Sequence, residues 1–232
     1  MVVLLAAGML VGVGTSPAQA VTRAYSGIWS GVLSTGGGYS SVTAEVNIPR
    51  VTALCGGGSN VAVFIGLGAW TRLPFVQAGF VVTPKGIGFW SELFDKTGRG
   101  PVTTIALPAR PGDRIRLSLG FSPNRSVLTF RWENLTRHLV RTQRVTNAGR
   151  YYNGSNADYI VERSYYPYRG SPLARYSAIT FRNAKAVRYG HWVPAYNSRS
   201  TLITMLGARG GATSRVTWAS GTSFGTGWSG CR

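Results

Sequence analysis

Two polar side chains stand out because each falls within a strand-like segment that is largely apolar. The segment Phe75–Val82 alternates as a β-strand does, with apolar residues on both faces and Gln77 as its one polar side chain. The segment Asp158–Glu162 alternates in the same way and places Glu162 on the face of Ile160. A polar group on such a strand costs free energy unless it finds a partner or faces a cleft. The pattern therefore predicts either a functional site or an edge strand whose second face meets water.

The groups that could perform acid–base chemistry are few. Of 232 residues, 25 are Lys or Arg, only 7 are Asp or Glu, 2 are His and 2 are Cys. The His and Cys residues are too few and too far apart for a Cys/His metal cluster, so we expect no metal site and no cofactor. The candidate carboxylates are Glu45, Glu92, Asp95, Asp113, Glu133, Asp158 and Glu162.

The net charge of +18 raises the question of an anionic partner. Lys85, Lys96 and Lys185 are the only lysines, so the remaining 22 of the 25 basic residues are Arg. A genome rich in G and C produces this imbalance unaided, and the basic residues are scattered rather than gathered in a run. We therefore predict no nucleic-acid partner.

Two short motifs of known enzymes occur without the context that they need. Gly221–Gly225 fits G-x-S-x-G, but neither an acid nor a His follows it, as a hydrolase nucleophile would require. Asp95–Gly98 resembles the phosphorylated aspartate loop of ion pumps and is interpreted as a polar turn. No Asp-Thr-Gly or Asp-Ser-Gly occurs either. Serine, cysteine, metal and aspartate hydrolases therefore all lose support.

Short alternating runs separated by Gly, Pro, Asn and Ser predict an all-β protein with no crossover helices. About a dozen such strands favour two antiparallel sheets packed face to face. The predicted strands include 42–48, 61–66, 75–82, 87–94, 115–119, 126–132, 158–164, 178–187, 201–206 and 213–218.

The first 20 residues form an apolar run that closes on Ala18-Gln19-Ala20, a pattern typical of a signal peptide; a transmembrane anchor is the alternative. We expect a secreted protein with no stable membrane insertion and a single domain over residues 21–232. Export to an oxidising compartment would allow Cys55 and Cys231 to form a disulfide, although two separate thiols fit the sequence as well.

Seven blocks of the mature sequence, in the same order, resemble the motifs of the glutamic peptidase (eqolisin) family. The first three are similar to S-x-N-W-x-G, to G-x-[FW]-x-V-P, and to W-V-G-I-D-G followed by L-Q-[TA]-G-[VF]. The other four are similar to A-W-Y-E-W, P-G-D, E-N-x-[ST] and A-E-W-I-V-E. In chain order the blocks are Ser26–Gly31, Ala44–Pro49, Phe64–Gly68 with Leu73–Phe80, Phe89–Phe94, Pro111–Asp113, Glu133–Thr136 and Ala157–Glu162.

The resemblance implies an endopeptidase that acts on peptides or proteins, with Gln77 and Glu162 as its catalytic pair. It also implies a β-sandwich of the concanavalin A-like, lectin–glucanase type with this pair on a concave face. We also expect the protein to be a monomer. Trp29, Trp90 and Glu92 would line the substrate cleft, although both Trp residues fit the core equally well.

Such a pair needs neither a metal nor a covalent intermediate. Glu162 would act first as a general base on water and then as an acid, while the amide of Gln77 stabilises the oxyanion. The sequence departs from the family at Gly68, where an Asp is expected, at Ser91, which replaces a Tyr, and at Asp158, which replaces a Glu. Since the chain is rich in Arg, we expect nearby guanidinium groups to favour the ionised form of Glu162.

Two other functions remain compatible with the sequence. A β-sandwich rich in Trp and Tyr also suits a carbohydrate- or peptide-binding module without catalysis. Glu92 and Glu162 could instead form the carboxylate pair of a glycoside hydrolase.

Overall fold

The computed structural model describes residues 21–68, 73–163 and 171–231. These residues form eighteen strands and one short 3-10 helix, Ala148–Tyr151. The strands are β1 (Thr22–Ser26), β2 (Trp29–Ser34), β3 (Tyr39–Asn47), β4 (Val51–Ala53), β5 (Val61–Gly68), β6 (Phe75–Thr83), β7 (Gly86–Phe94), β8 (Val102–Ile105), β9 (Arg114–Phe121), β10 (Val127–Asn134), β11 (Leu139–Thr146), β12 (Ala157–Glu162), β13 (Arg175–Tyr176), β14 (Ile179–Arg188), β15 (His191–Pro194), β16 (Ser200–Leu206), β17 (Ala212–Ser220) and β18 (Ser223–Trp228).

The strands form because apolar side chains recur at every second position, so that one face of each strand can be buried. In β9, Ile115, Leu117 and Leu119 are buried while Arg114 and Arg116 face outward. The predicted all-β class is confirmed, and each of the predicted runs overlaps a strand.

The strands build a sandwich of two layers. One layer contains β2, β12, β5, β6 and β7, and the other contains β14, β3, β9, β10 and β11. The layers face each other where β5 and β6 pack on β3 and β9. The buried core between them holds large side chains from both, among them Phe80, Phe89, Phe130, Trp132 and Tyr159.

Hydrogen bonding continues from one layer into the other, which the prediction of two separate sheets did not foresee. The ladder runs β11-β10-β9-β3-β14-β18-β17-β16-β2-β12-β5-β6-β7-β8, with every neighbouring pair antiparallel. Register shifts in β17 and β16, between Val216 and Trp218 and between Met205 and Leu206, accompany this passage. Such bulges bend a strand and allow one ladder to turn a corner between layers.

The two motifs interpreted as chance matches lie in turns. The Asp95 carboxylate accepts hydrogen bonds from the backbone N–H and the hydroxyl of Thr97, at 2.8 and 2.6 Å, as a polar turn requires. Gly221 and Thr222 form the tip of the β17–β18 hairpin, which joins two strands and not a strand to a helix. Neither motif therefore has the setting of an active site.

Cys55 and Cys231 form a disulfide, so the paired state of the two cysteines is confirmed. The bond ties the loop after β4 to the end of the chain beyond β18. The predicted signal peptide, residues 1–20, lies outside the described residues. Across the described ranges, no helix has the length and apolar character needed to span a membrane.

Removing the disulfide should destabilise the fold because the bond restricts the unfolded chain across 176 residues. We expect the double variant Cys55→Ser, Cys231→Ser to lose about 2–4 kcal/mol of unfolding free energy. Urea unfolding followed by Trp fluorescence measures this loss. A reductant should lower the stability of the wild type to that of the variant and leave the variant unchanged. Equal stability of wild type and variant without reductant would contradict the expectation.

Candidate active site

The layer of β2, β12, β5, β6 and β7 has one face on the core and one face turned outward. The outward face carries the residues that the sequence singled out. We call it the site face, and it consists of the outward side chains of five adjacent strands, β2, β12, β5, β6 and β7. Its members are Trp29, Leu33, Asp158, Ile160, Glu162, Phe64, Gly66, Phe75, Gln77, Gly79, Trp90, Glu92 and Phe94. They share one face because directly opposed residues of antiparallel strands point to the same side.

Gln77 and Glu92 are held together by strand register. Gln77 of β6 lies directly opposite Glu92 of β7 and, on its other side, opposite Gly66 of β5. The amide Nε2 of Gln77 donates a hydrogen bond of 2.7 Å to Oε2 of Glu92. Gln77 is buried, and its Oε1 finds no partner among the described groups. One end of the amide is therefore fixed while the other is left available.

Glu162 lies at the end of β12, between Trp29 of β2 and Ala62 of β5. The pKa of this carboxyl is raised to about 8, with burial as the largest cause, a hydrogen bond from the Trp29 side chain opposing the rise and the charge of Glu92 adding to it. Burial also raises the pKa of Glu92, against the hydrogen bond from Gln77. Glu92 is thus bonded to Gln77 and is also close enough to Glu162 to influence its ionisation.

The expectation that Arg residues would favour an ionised Glu162 is wrong for the described part of the chain. There the charge that acts on Glu162 is the carboxylate of Glu92, and the pKa is raised and not lowered. The physical reason is the placement of the cations, since strands β2, β12, β5, β6 and β7 contain neither Lys nor Arg. The strands that carry the carboxylates of the site face therefore supply no counter-charge to them.

An aromatic cluster surrounds the polar groups on the site face. Phe64 contacts Trp29 and Trp90 at ring-centroid distances of 5.6 and 6.1 Å, and Phe75 stacks on Phe94 at 5.8 Å. The two Trp rings are only partly buried and belong to this cluster, which is distinct from the core between the layers. They accordingly lie where side chains lining a cleft would lie.

Gly79 is required for the close approach of the strands beneath this cluster. It is opposite Phe64 on one side and Trp90 on the other. A Cβ at Gly79 would come within 2.2 Å of the Val63 carbonyl oxygen and 2.7 Å of the Phe64 Cβ. Strand packing therefore explains why a glycine, without a Cβ, occupies position 79.

Asp158 is a fully buried carboxyl on the same face. Asn156 donates a hydrogen bond to Asp158 Oδ1, whereas Oδ2 has no partner among the described groups. Burial raises the pKa of Asp158 well above its usual range, against the hydrogen bond from Asn156, and so favours the protonated form.

The position where an Asp was expected from the family pattern has no space for one. Gly68 has a φ of +96°, and a Cβ there would lie 2.7 Å from the Pro74 carbonyl oxygen. Its own carbonyl accepts a hydrogen bond of 2.9 Å from Asn156, which also binds Asp158. Asn156 was not identified from the sequence. Alternation places Phe75 on the face of Gln77 and Phe94 on the face of Glu92, but neither was predicted as a site residue.

In the described residues, no group of three His, Cys, Asp or Glu side chains is arranged to hold a metal ion. What the site face offers is proton transfer and hydrogen bonding. It combines a carboxyl with a raised pKa, a second carboxyl close to it and an oriented amide.

Residues 27–225 match the model of the peptidase A4 family. The chain belongs to this family. The match spans most of the chain and includes every residue of the site face. The chain is accordingly a peptide hydrolase of the glutamic peptidase class, as its sequence motifs predicted.

Solved structures of glutamic peptidases have the same fold. A scytalido-glutamic peptidase crystallised with a peptide-based transition state analog matches with a TM-score of 0.73 and 20% identity, over 88% of this chain and 98% of that one. SCP-B, an eqolisin in complex with the tripeptide Ala-Ile-His, matches with a TM-score of 0.70 and 20% identity over the same shares. Aspergilloglutamic peptidase from Aspergillus niger matches with a TM-score of 0.64 and 19% identity, over 74% of this chain and 99% of that one. A search of curated proteins gave no match.

The raised pKa of Glu162 predicts how stability depends on pH. A carboxyl whose folded-state pKa exceeds its unfolded value stabilises the fold fully below the unfolded value, 4.5, and loses that contribution as the pH rises to about 8. We therefore expect the unfolding free energy of the wild type to fall over this interval, by up to about 1.4 kcal/mol per pH unit for one group. The variant Glu162→Gln should show a smaller fall.

Chemical denaturation at a series of pH values tests this expectation, with Glu133→Gln in the other layer as the matched control. Hydrogen bonds from Arg116 hold the pKa of Glu45 low against burial, and those from Asn134 and Arg137 do the same for Asp113. Because these two pKa values are lowered, the stabilisation from Glu45 and Asp113 is lost only at pH values below the interval from 4.5 to about 8 in which Glu162 acts. Identical slopes for the wild type and Glu162→Gln would contradict the expectation.

Proposed function

We propose that the chain hydrolyses peptide bonds with Gln77 and Glu162 as its catalytic pair. The observation that carries the proposal is the carboxyl of Glu162, whose pKa of about 8 lies far above that of an ordinary Glu. A carboxylate with a raised pKa is a stronger base once ionised and a usable acid once protonated. The family to which the chain belongs supports peptide bonds as the substrate.

In the proposed reaction, ionised Glu162 removes a proton from a water molecule as that water attacks the scissile carbonyl carbon. The C–O bond forms, and the carbonyl π electrons move to oxygen. The second N–H of the Gln77 amide, which the hydrogen bond to Glu92 leaves unused, donates to this oxyanion. The protonated Glu162 then returns its proton to the leaving nitrogen as the C–N bond breaks, which regenerates the carboxylate.

The aromatic cluster gives the proposed site its substrate surface. Trp29 and Trp90 flank Phe64 and remain partly exposed, so their rings can pack on the side chains of a bound peptide. Excluding water from this surface also strengthens the hydrogen bonds made to the oxyanion. Trp29, Trp90 and Glu92 therefore form the proposed substrate-facing wall of the cleft.

The alternative functions receive less support. A glycoside hydrolase would use both Glu92 and Glu162, yet one oxygen of Glu92 is bonded to the Gln77 amide. A binding module without catalysis has no need for a buried carboxyl of raised pKa. Membership of a peptidase family also favours peptide hydrolysis over both.

We further propose that the protein acts outside the cell as one domain beginning at residue 21. The disulfide supports an oxidising compartment. Its joining of an early loop to the chain end, and the pairing of β1 with β16, support a single unit. Action as a monomer and the absence of a nucleic-acid partner remain predictions, which size-exclusion chromatography and a nucleic-acid binding assay test.

Substitution of the catalytic pair should abolish most activity. Residues 21–232 should cleave a denatured protein substrate and resist pepstatin, chelators and serine reagents. We expect kcat/KM to fall about 10²–10³-fold in Gln77→Ala, as for loss of one oxyanion donor, and about 10²–10⁴-fold in Glu162→Gln. Mass spectrometry of the cleaved peptides measures the rates.

Glu133→Gln provides the control and should retain wild-type activity, because Glu133 lies in the other layer and bonds Arg116. Full activity in either Gln77→Ala or Glu162→Gln would overturn the assignment of the pair. A wild type that cleaves nothing at any pH would overturn the proposed function itself.

A further inference from the structure

The amide of Gln77 can serve an oxyanion only if it has the correct orientation. Its two ends have similar size and opposite hydrogen-bonding character, since the nitrogen donates and the oxygen accepts. Rotation by half a turn exchanges them, so only the hydrogen-bond partners decide which end faces the cleft. In the structure the one described partner of this amide is Glu92, at 2.7 Å from Nε2.

We propose that Glu92 is a positioning residue, which sets the orientation of the Gln77 amide by accepting a hydrogen bond from its nitrogen. An ionised carboxylate has no proton to donate and can therefore pair only with the NH₂ end. The second N–H and Oε1 then have fixed directions, one for the oxyanion and one for the attacking water. This inference rests on the proposed function, because it assigns the task of Glu92 within the same site.

The orientation should depend on the protonation state of Glu92. A protonated carboxyl can donate to Oε1 as well as accept from Nε2, so it no longer distinguishes the two ends of the amide. Burial raises the pKa of Glu92, which brings this change closer to neutral pH than for an exposed Glu. Glu92 is thus the point at which pH would act on Gln77.

Among the described residues, the other ionisable groups on the face of Glu92 are also carboxyls. Glu162 and Asp158 project from β12 onto this face, and burial favours the protonated form of Asp158. The neighbouring strands β6 and β8 contribute Gln77 and Val102 opposite Glu92, and neither side chain ionises. With no cation in β5, β6, β7, β8 or β12, the described hydrogen bond that stabilises ionised Glu92 is the one from Gln77.

Glu92 would therefore act on both members of the pair through different forces. It orients Gln77 through a hydrogen bond and raises the pKa of Glu162 through its charge. Removing the charge but keeping the shape should accordingly have two effects. Turnover should fall because the amide is no longer oriented, and the acid limb of the pH profile should move to lower pH because Glu162 ionises more readily.

The test compares Glu92→Gln, which is isosteric and uncharged, with Glu92→Asp, which keeps the charge, and with Glu133→Gln as the control in the other layer. We expect Glu92→Gln to lower kcat at least about 10-fold, though by less than loss of the whole donor, with little change in KM. Its kcat/KM profile should shift to lower pH. Glu92→Asp should retain the wild-type pH profile of kcat/KM. Glu133→Gln should retain both the wild-type kcat and this pH profile.

A second measurement does not require activity. The side-chain NH₂ signals of Gln77, assigned by their loss in Gln77→Ala, should titrate with pH in ¹⁵N-labelled Glu162→Gln protein. They should cease to titrate when Glu92→Gln is added. Signals that titrate equally with and without Glu92, or a Glu92→Gln enzyme with unchanged kcat and profile, would overturn the proposal. A wild type without peptidase activity would instead refute the proposed function, and the NMR titration would still decide the role of Glu92.

Discussion

The register of four neighbouring strands determines where every polar group of the site lies. Pairing of β12, β5, β6 and β7 places Gln77 opposite Glu92 and brings Glu162 onto the same face. A shift of one residue in any of these pairs would turn that strand's site residues into the core. The inner faces prevent such a shift, since Val63, Phe80 and Tyr159 must remain buried against the other layer. The packing of the core therefore holds the geometry of the site.

The same layer also determines the electrostatics. Three carboxyl groups lie on a face whose strands supply no cation, so burial favours the protonated form of each, and the charge of Glu92 adds to this effect at Glu162. In the other layer the opposite holds, because Arg116 bridges Glu45 and Glu133 and keeps Glu45 ionised. Carboxyl groups of one chain thus acquire different chemistry from the layer to which they belong. This difference separates the groups that stabilise the fold from those available for proton transfer.

Much of the architecture was predictable from residue alternation. Gln77 was recognisable because it interrupts an apolar strand, and Glu162 because it shares a strand face with Ile160; the strands that hold them were predicted nearly to their ends. Strands such as β8 and β11 were not predicted. Strand β8 is short, and in β11 the side that carries Leu139 and Val145 also carries Arg141 and Gln143, so apolar residues do not alternate regularly. The ladder that joins the layers depends on bulges, which leave no clear sequence signal.

The site itself was less predictable than the strands. Alternation indicates which residues share a face, but not which of them touch across strands, so the bond between Gln77 and Glu92 required the register. The wrong expectation that Arg residues favour the ionised form of Glu162 has a similar origin. Composition gives the number of cations in the chain and not the layer in which they fold.

The two layers differ in the number of positively charged side chains on their strands. The strands of the second layer carry Arg114, Arg116, Arg131, Arg141, Arg144, Arg182, Lys185 and Arg188, whereas those of the site layer carry none. Within the strands of the two layers, the positive charge therefore lies on the side away from the site face. Close to a negatively charged surface, the cations of these strands favour an approach through the arginine-bearing layer. The site face then points away from that surface.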